Sequence, residues 1–420
     1  MTEDGKFKVL VLSDHALSTS GVGTQTRHLI NGLLEKGCWS FRQFGAALRH
    51  DNYETIVVND DFIIKPIDGF GDENLIRQTL VTERPDLLFI FTDPRFFVWL
   101  FKIEDEVHQV CPIAWWHVWD NYPYPRFNDT FYEGTDVINC HSHMTYTMIK
   151  EDGMHADKVD FIPHAIPNYL FSKLDDETIL ENRKTLLGED RVDHFVGIWV
   201  NRNAKRKRPG DVLLTWKMFL EKLEEKEGHR NATLIMHTEP YDNEGPNLFE
   251  VSAMLGLEKN VYFSRDRIDF DKMNVLYNIS DFCYSLSYAE GFGLSTLESM
   301  MTGTPIIAPT TGGLTRQVVD HRDGSHNGVA LPIECKTLVG SQTVPYIYED
   351  YVTNETASEG IYELYKKIEN PEEKRKLSDK VLKYTEEEFA YQDTVDRWHE
   401  SMLKVMEDFK TRKNWDKISL

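Results

Sequence analysis

The sequence predicts an α/β protein of two domains, each with a parallel sheet covered by helices on both faces. The length is the first reason, since 420 residues exceed one ordinary hydrophobic core and suit two domains of roughly 150–200 residues. The second reason is that short apolar runs alternate with helical segments, a pattern typical of strands buried on both faces. These runs are Leu87–Phe91, Pro112–Trp116, Val137–Cys140, Phe195–Val200, Leu234–Met236 and Pro305–Ala308.

The same pattern places the first domain at residues 1–167 and the second at residues 192–388. Between them, residues 168–190 are polar and charged, and we interpret them as a linker plus a helix. The apolar strands therefore divide evenly between the two halves of the chain.

The first strand is predicted at Phe7–Leu12, followed by a flexible glycine loop at Ser18–Gly23 and a helix at Thr24–Glu35. A dinucleotide fingerprint also has glycines between a strand and a helix. It fits poorly here, because Gly21 comes late after the strand and Thr26 occupies the place of the third glycine. A nicotinamide cofactor is therefore not expected.

A strand at Cys111–His117 ends in a histidine, and the carboxyl end of a strand is where α/β proteins place functional groups. A lone histidine at a strand end is more often a structural hydrogen-bonding residue. Aromatic residues surround it and form either a platform for an acceptor or part of the core. They are Trp115, Trp116, Trp119, Tyr122, Tyr124 and Phe127.

In the second domain, a buried strand at His194–Val200 is followed by the polar and basic segment Asn201–Arg208. Alone, the run Lys205–Arg208 is typical of a solvated loop or of a patch that binds nucleic acid. At the carboxyl end of a parallel strand, its cations also suit an anionic ligand.

The most informative passage follows the strand Asp281–Ser287 and contains two carboxylates, Glu290 and Glu298. A turn, Gly291-Phe292-Gly293, separates Glu290 from a helix that we expect to run from Leu294 to about Met301. The N-terminus of such a helix offers backbone N–H groups to a phosphate. The glutamates then hold sugar hydroxyls while the glycines approach a diphosphate.

The segment Glu290–Glu298 resembles the E-x7-E signature of retaining nucleotide-sugar glycosyltransferases of family 4. Ser287, Gly303-x-Pro305 and the Gly312-Gly313 turn also fall where that family has them. Arg202 and Lys207 match the family's R-x4-K pair. The resemblance implies a GT-B fold, with two Rossmann-like domains and a central interdomain cleft.

The resemblance also implies roles for these residues. Arg202 and Lys207 would stabilise the departing diphosphate where other glycosyltransferases use a metal ion. Glu290 would contact the transferred sugar and Glu298 the ribose. The implied donor-binding set is Gly21, Gly23, Arg202, Lys207, Glu290, Gly291, Phe292, Gly293, Leu294 and Glu298. The implied catalytic set is His117, Arg202, Lys207 and Glu290.

In the family the last helix crosses back to the first domain, here at about residues 389–420. The spacing of its apolar residues suits that course. These residues are Phe389, Val395, Trp398, Met402 and Val405. The segment Cys335–Tyr351 is longer than the family pattern and is open to interpretation as a lid, an oligomer contact or an acceptor element.

Charge and composition limit the partners. The chain has 47 Lys and Arg against 69 Asp and Glu, a net charge of −22, which disfavours binding to nucleic acid or anionic lipid through the overall field. Local basic patches still allow such contacts. There is no apolar run of about 18 residues for a transmembrane helix and no hydrophobic signal core, so we expect a cytoplasmic protein.

The cysteines are odd in number and scattered, so we expect reduced packing residues and no zinc or disulfide framework. They are Cys38, Cys111, Cys140, Cys283 and Cys335. Asp60-Asp61 and Asp175-Asp176 have the wrong spacing for a D-x-D metal site. We expect neither a metal nor a cofactor.

The predicted function is metal-independent, retaining transfer of a hexose or pentose from a nucleoside diphosphate sugar to a hydroxyl acceptor, either a glycan, a lipid or a small molecule. Two alternatives stay open. One is an enzyme of the same fold that acts on hydroxymethylated bases of DNA, and the other is a non-catalytic scaffold. The sequence leaves the sugar, the base, the acceptor and the oligomeric state undetermined.

Overall fold

The computed structural model describes Thr2 and residues 5–412. The chain divides into two compact units. The first, here called the N-unit, comprises Met1–Ala165, Gly340–Ile347 and Tyr391–Leu420. The second, the C-unit, comprises Ile166–Val339 and Tyr348–Ala390.

Within the described residues, the N-unit sheet has eight strands in the order β3-β4-β2-β1-β5-β6-β7-β8. Neighbouring strands are parallel except β3, which is antiparallel to β4. The strands are β1 (Phe7–Asp14), β2 (Trp39–Ala46), β3 (Ile56–Asn59), β4 (Phe62–Pro66), β5 (Leu87–Thr92), β6 (Ile113–His117), β7 (Val137–Cys140) and β8 (Val159–Phe161). The helices between them are α1 (Gly21–Leu34), α2 (Glu73–Glu83), α3 (Val98–Phe101), α4 (Glu104–Val107), α5 (Asp129–Glu133) and α6 (His143–Asp152).

Both faces of this sheet are buried. In β1, Val9 and Val11 enter one hydrophobic cluster and Leu10 and Leu12 enter another, as expected where alternate side chains point to opposite faces. The prediction of doubly covered strands is confirmed here.

The glycine loop is shorter than predicted, because α1 begins at Gly21 rather than at Thr24. The Ser20 side chain accepts a 2.9 Å hydrogen bond from the backbone N–H of Gly23 and so caps the helix. Gly21 and Gly23 therefore lie in the first turn of α1 and not in a flexible loop.

The C-unit sheet has six parallel strands in the order β11-β10-β9-β12-β13-β14. They are β9 (Phe195–Val200), β10 (Ala232–His237), β11 (Val261–Ser264), β12 (Phe282–Tyr284), β13 (Ile306–Pro309) and β14 (Gly328–Leu331). The helices are α7 (Asp176–Leu187), α8 (Pro209–Glu227), α9 (Leu248–Met254), α10 (Phe270–Asn278), α11 (Leu294–Met301), α12 (Leu314–Val318), α13 (Asn354–Ile368) and α14 (Pro371–Glu388). This is the strand order of a Rossmann fold. Successive strands are added on one side of β9 and then, from β12 onward, on its other side, so the strand order reverses between β9 and β12.

The segment Cys335–Tyr351, which is longer than the family pattern, forms a two-stranded hairpin. Its strands are β15 (Cys335–Val339) and β16 (Ile347–Tyr351). Its tip, residues 340–347, belongs to the N-unit. There Val344 packs with Trp119 and Met148, and the ring of Tyr346 lies 5.2 Å from that of Phe127.

The last described helix, α15 (Tyr391–Arg412), belongs to the N-unit, which confirms the predicted return. Trp398 is fully buried, with its ring 5.1 Å from Phe89 and 5.2 Å from Trp116. Phe389 differs from the prediction, since it precedes this helix and packs in the C-unit core. None of the described helices has the length and apolar composition needed to cross a bilayer.

Candidate functional site

The candidate site lies at the carboxyl edge of the C-unit sheet. Strands β9 and β12 are adjacent there, with Gly197 opposite Phe282. They flank the point where the strand order reverses, which is where open α/β sheets bind ligands. The loops that follow them carry Arg202–Arg208 and Glu290–Gly293, so topology alone brings these two segments together.

Lys207 and Glu290 form the centre of the site. Lys207 ends a short 3₁₀ turn, and its Nζ donates a hydrogen bond to Oε2 of Glu290. Their side chains are only 11% and 15% exposed. Burial alone would raise the pKa of Glu290, but the charges of Lys207 and Arg206 hold this pKa below its ordinary value. The carboxylate is therefore ionised beside its cations at neutral pH.

Arg206 is the second cation beside Glu290. Its Nη1 donates a 2.8 Å hydrogen bond to the carbonyl of Ala289 and lies 3.5 Å from Oε2 of Glu290. The backbone carbonyl of Arg206 accepts a 3.0 Å hydrogen bond from Tyr288. These contacts join the loop after β9 to the loop after β12.

Arg202 contacts two acidic residues, and its predicted role with Lys207 on the donor's diphosphate stays a prediction. Its guanidinium donates to Asp242 at 2.7 and 3.1 Å and lies 3.2 Å from Glu244. Its side chain is 60% exposed. Asp242 and Glu244 follow β10, which lies on the opposite side of β9 from β12. They therefore hold Arg202 on the β10 side of β9.

Two glycine turns pack closely at the same edge. Gly293 has φ of +95°, a left-handed conformation that favours glycine. A Cβ on Gly313 would lie 2.4 Å from the carbonyl oxygen of Gly291 and 2.5 Å from Cα of Phe292. The N–H of Gly313 also donates to the carbonyl of Glu290 at 2.9 Å. The glycines are thus required for the backbone to fold tightly around Glu290.

Helix α11 begins at Leu294, directly after Gly293, and its predicted bounds are confirmed. Within the described chain, no side chain caps its N-terminus, and its first turn has no acidic residue. Backbone N–H groups and the positive end of the helix dipole are therefore available there for an anion.

Glu298 lies on α11 and accepts a 2.6 Å hydrogen bond from the hydroxyl of the buried Tyr277. Burial raises the pKa of Glu298 to about 7, although the hydrogen bond from Tyr277 acts in the opposite direction. The carboxyl group is therefore partly protonated near neutral pH, and it can both donate to and accept from hydroxyl groups.

In the N-unit, Gly23 lies against the end of β1. A Cβ there would be 2.2 Å from Oγ of Ser18 and 2.4 Å from the carbonyl of His15. Ser20 also donates a 2.6 Å hydrogen bond to Asp14. Gly23 is thus explained by packing, and the predicted contact of Gly21 and Gly23 with a donor stays a prediction.

His117 is the last residue of β6 and is fully buried. Its Nε2 hydrogen-bonds the Tyr132 hydroxyl at 2.8 Å, and its ring lies 4.1 Å from that of Trp115. Burial, with a smaller contribution from His141, lowers the pKa of His117 well below its ordinary value. The ring is therefore neutral and held in place by its neighbours, and its predicted place at the reacting face stays a prediction.

Four of the six aromatic residues near His117 pack inside the N-unit, whereas Tyr122 is exposed. Trp115 and Trp116 are buried on opposite faces of the sheet. Trp119 and its neighbour Phe127 pack with the hairpin tip at Val344. The interpretation as core, one of the two alternatives, accounts for these four residues.

Sequence reasoning missed three contributors to the site: Arg206, Tyr277 and Arg208. The Arg208 guanidinium lies 4.3 Å from the ring centre of Tyr351 and 5.0 Å from that of Tyr288. Arg206 was missed because nothing in the residue pattern distinguishes it from the other cations of its run. Tyr277 was missed because it lies 21 residues before its hydrogen-bond partner, Glu298.

In the part of the chain that the structure describes, no group of three or more His, Cys, Asp or Glu side chains is placed to hold a metal ion.

Residues 192–332 match a family model described as glycosyl transferases group 1. The match covers about a third of the chain and includes Arg202, Lys207, Glu290 and Glu298.

Curated relatives align over shorter stretches. A D-inositol 3-phosphate glycosyltransferase from Salinispora arenicola is 37% identical over 78 residues, which are 19% of this chain and 17% of the relative. An N-acetyl-alpha-D-glucosaminyl L-malate synthase from Bacillus anthracis is 31% identical over 124 residues, 28% of this chain and 31% of the relative. The chain thus spans between about a sixth and a third of the length of these relatives.

Solved structures match along almost the whole chain. Sucrose-phosphate synthase from Thermosynechococcus elongatus has a TM-score of 0.71 at 13% identity, covering 96% of this chain and 100% of the other. The Anabaena protein HepE, in complex with UDP and glucose, has a TM-score of 0.68 at 16% identity, covering 94% and 99%. At such identities the likeness shows the fold alone, and that fold is the predicted GT-B fold.

Proposed function

We propose that this protein transfers a sugar from a nucleoside diphosphate sugar to a hydroxyl acceptor. The observation that carries the proposal is the pair of cations, Lys207 and Arg206, on the carboxylate of Glu290. This cluster lies at the strand-order reversal, next to a glycine turn and the uncapped start of α11. Cations, glycines and a helix N-terminus at such an edge suit a diphosphate.

In the proposed reaction, the bond between the sugar C1 and the diphosphate oxygen breaks. A new bond forms between C1 and the acceptor oxygen on the same face of the sugar, so the anomeric configuration is retained. The acceptor's proton passes to the departing phosphate. Lys207 and the guanidinium of Arg202 or Arg206 stabilise the negative charge that the leaving group gains. This charge stabilisation supports a reaction that needs no metal ion.

The two glutamates would hold the donor's hydroxyl groups. Glu290 is ionised and accepts hydrogen bonds, which suits hydroxyls of the transferred sugar. Glu298 suits the ribose, because its partly protonated carboxyl can pair with a diol as both donor and acceptor. The family resemblance and the match at residues 192–332 support this division of roles.

The direct test incubates the purified full chain with UDP-, GDP- and ADP-sugars and with sugar, lipid and small-molecule acceptors, with and without EDTA. We expect one donor to release its nucleoside diphosphate and to form a glycoside with the donor's anomeric configuration, measured by NMR, at a rate that EDTA leaves unchanged. If no donor is turned over, the interpretation as a non-catalytic scaffold replaces this one. An inverted product would disprove retention alone.

The alternative of a DNA-modifying enzyme gains nothing from the structure. Lys207 and Arg208 are buried, and the remaining cations of the run are Lys205 and Arg206. Half of the basic run is therefore directed into the C-unit instead of forming a surface for a phosphate backbone. Adding hydroxymethylated DNA to the acceptor panel tests this alternative in the same assay.

A further inference from the structure

We propose that the tip of the hairpin, residues 340–347, contacts the acceptor and favours a neutral, hydroxyl-rich molecule such as a sugar over a phosphorylated one. The inference rests on the proposed function and names the class of acceptor. It also gives a role to the segment that is longer than the family pattern. The side chains that carry it are Ser341, Gln342 and Thr343 on the tip and Arg95 beside them.

The tip lies near the point where the strand order of the N-unit sheet reverses. β1 and β5 are adjacent there, and the strands that follow β1 lie on one side while those that follow β5 lie on the other. Open α/β sheets bind ligands in the loops at the carboxyl edge of such a point. The loop after β5 carries Arg95, whose Nη1 lies 3.5 Å from Oγ1 of Thr343. The tip therefore borders a place where a ligand is expected.

Apolar contacts anchor the tip at this edge. Val344 is buried in one cluster with Trp119, and the ring of Tyr346 lies 5.2 Å from that of Phe127. The ring of Trp119 stacks in turn on that of His117, the last residue of β6, at 6.4 Å. The tip is thus joined by direct packing to the residues that follow β6.

The turn itself is held in one shape. The N–H of Ser341 donates to the carbonyl of Val344 at 2.7 Å, and the hydroxyl of Ser341 accepts from the N–H of Val344 at 3.1 Å. Gly340 lets the two sides of the turn approach, since a Cβ there would lie 2.4 Å from the carbonyl oxygen of Pro345. A turn closed in this way presents its exposed side chains in a fixed position, which reduces the entropy lost when a ligand binds.

The exposed side chains of the tip are neutral and polar. Ser341, Gln342 and Thr343 are exposed, and residues 340–347 include no charged side chain. The amide of Gln342 makes no hydrogen bond within the described part of the chain, so its donors and its acceptor are both available. Hydroxyl and amide groups donate and accept hydrogen bonds, as the hydroxyl groups of a sugar require.

A phosphate group would be attracted only weakly. Arg95 is the cation that contacts the tip, and Asp93 already holds its guanidinium at two points. Nε of Arg95 donates to Oδ1 of Asp93 at 2.7 Å, and Nη2 donates to Oδ2. To bind a phosphate, Arg95 would have to leave this carboxylate, whereas a neutral hydroxyl requires no such exchange. The tip therefore discriminates against an anionic acceptor.

The first test compares neutral sugars with their phosphate esters, using the purified full chain and the donor that it turns over. Glucose is compared with its 1-phosphate and 6-phosphate, and galactose likewise, so that one blocked hydroxyl does not decide the result. We expect kcat/KM to be about tenfold or more higher for the neutral sugars, because an unpaired phosphate is costly to desolvate. A higher kcat/KM for the esters, or turnover with lipid acceptors alone, would overturn the inference and leave the proposed function intact.

The second test removes single polar groups from the tip. Gln342→Ala and Thr343→Val should each raise the acceptor KM by about three- to tenfold, the size of a lost neutral hydrogen bond. The donor KM, and the slow hydrolysis of the donor without an acceptor, should stay unchanged. Gln78→Ala is the matched control, because it removes the same side chain from an exposed position on α2, and it should change the acceptor KM by less than about twofold.

Gln342→Lys provides an independent variant, since it adds a cation where a phosphate would need one. We expect it to raise kcat/KM for the phosphate esters by about threefold or more. An unchanged acceptor KM in both Gln342→Ala and Thr343→Val would overturn the inference, because the tip would then not contact the acceptor. If the wild-type chain turns over no donor with any acceptor, the proposed function and this inference fail together.

Discussion

The two sheets expose different chemistry at their carboxyl edges. In the C-unit the edge is charged, with Lys207 and Arg206 on Glu290. In the N-unit three buried histidines lie at or just after the carboxyl ends of β6, β7 and β8, namely His117, His141 and His164. The same strand–helix architecture thus carries a charged cluster in one unit and a neutral cluster in the other.

The cause of the difference is desolvation. Burial lowers the pKa of His141 to about 3. Burial also lowers the pKa of His164 well below its ordinary value, and the nearby His141 adds a smaller contribution in the same direction. The rings of His141 and His164 lie 4.6 Å apart, so charging one disfavours charging the other. In the C-unit the opposite charges are in contact, and the ionised forms persist.

Removing Lys207 is expected to have the largest effect on the charged edge. Lys207→Ala should lower kcat/KM for the donor by roughly 10²–10³-fold, as for other lost charge-stabilising donors. Lys205→Ala is the matched control, because it removes the same charge from an exposed neighbour and should change kcat/KM by less than about twofold. Full activity of Lys207→Ala in a steady-state assay would remove this residue from the mechanism.

Changes at the neutral edge should instead appear first as lost stability. His117→Ala removes a fully buried ring and leaves the Tyr132 hydroxyl without its 2.8 Å partner, which should cost about 2–3 kcal/mol in urea unfolding. Tyr132→Phe removes only the hydrogen bond and should cost about 1 kcal/mol.

Turnover then separates packing from chemistry at His117. Both variants should be assayed at a temperature where each is folded. A loss of turnover in His117→Ala that Tyr132→Phe does not share would support the role implied by the family resemblance. Equal activities would leave His117 as a packing residue.

More of the fold than of the candidate site could be predicted from the sequence. Continuous apolar strands and the bounds of α11 followed from local pattern, because burial on both faces requires such runs. The partners of Arg202 and Arg206 could not be predicted. Asp242 and Glu290 lie 40 and 84 residues away in sequence, and strand order decides which loop each cation meets. A motif specifies residue types, whereas the register of β9 against β10 and β12 specifies their contacts.

The start of α1 shows the same limit at short range. Helical periodicity is first visible at Thr24, but Ser20 caps the helix four residues before that point. A cap is a single side-chain contact and leaves little trace in a periodic pattern. Two predicted loop glycines therefore belong to a helix.

A smaller effect should come from Glu298, whose pKa is raised to about 7 by burial. The folded state then holds a proton that the unfolded state releases, so Glu298 contributes stability at low pH that is lost as pH rises through about 7. Glu298→Gln, which cannot ionise, should be more stable than the wild type by about 1 kcal/mol or more at pH 8, and by less at pH 5.

Urea unfolding at both pH values measures this difference. Tyr277→Phe is a useful companion variant, since it removes the 2.6 Å hydrogen bond and keeps the titrating carboxyl. Its stability should keep falling between pH 5 and 8, as in the wild type. A Glu298→Gln chain with the same pH dependence as the wild type would show that Glu298 does not titrate in this range.

The smallest expected effect concerns the support of the charged edge by the hairpin. Tyr351 on β16 stacks on the buried Arg208, which directly follows Lys207, and Arg208 also donates to the carbonyl of Val352 at 3.0 Å. Tyr351→Ala should cost about 0.5–2 kcal/mol of stability through the lost cation–π contact and raise the donor KM a few-fold, because the turn that carries Lys207 loses its support. Tyr351→Phe keeps the ring and should match the wild type in urea unfolding and in kinetics. If Tyr351→Ala also matches the wild type, the hairpin contributes nothing to the charged edge, and the contrast between the two edges depends on the loops after β9 and β12 alone.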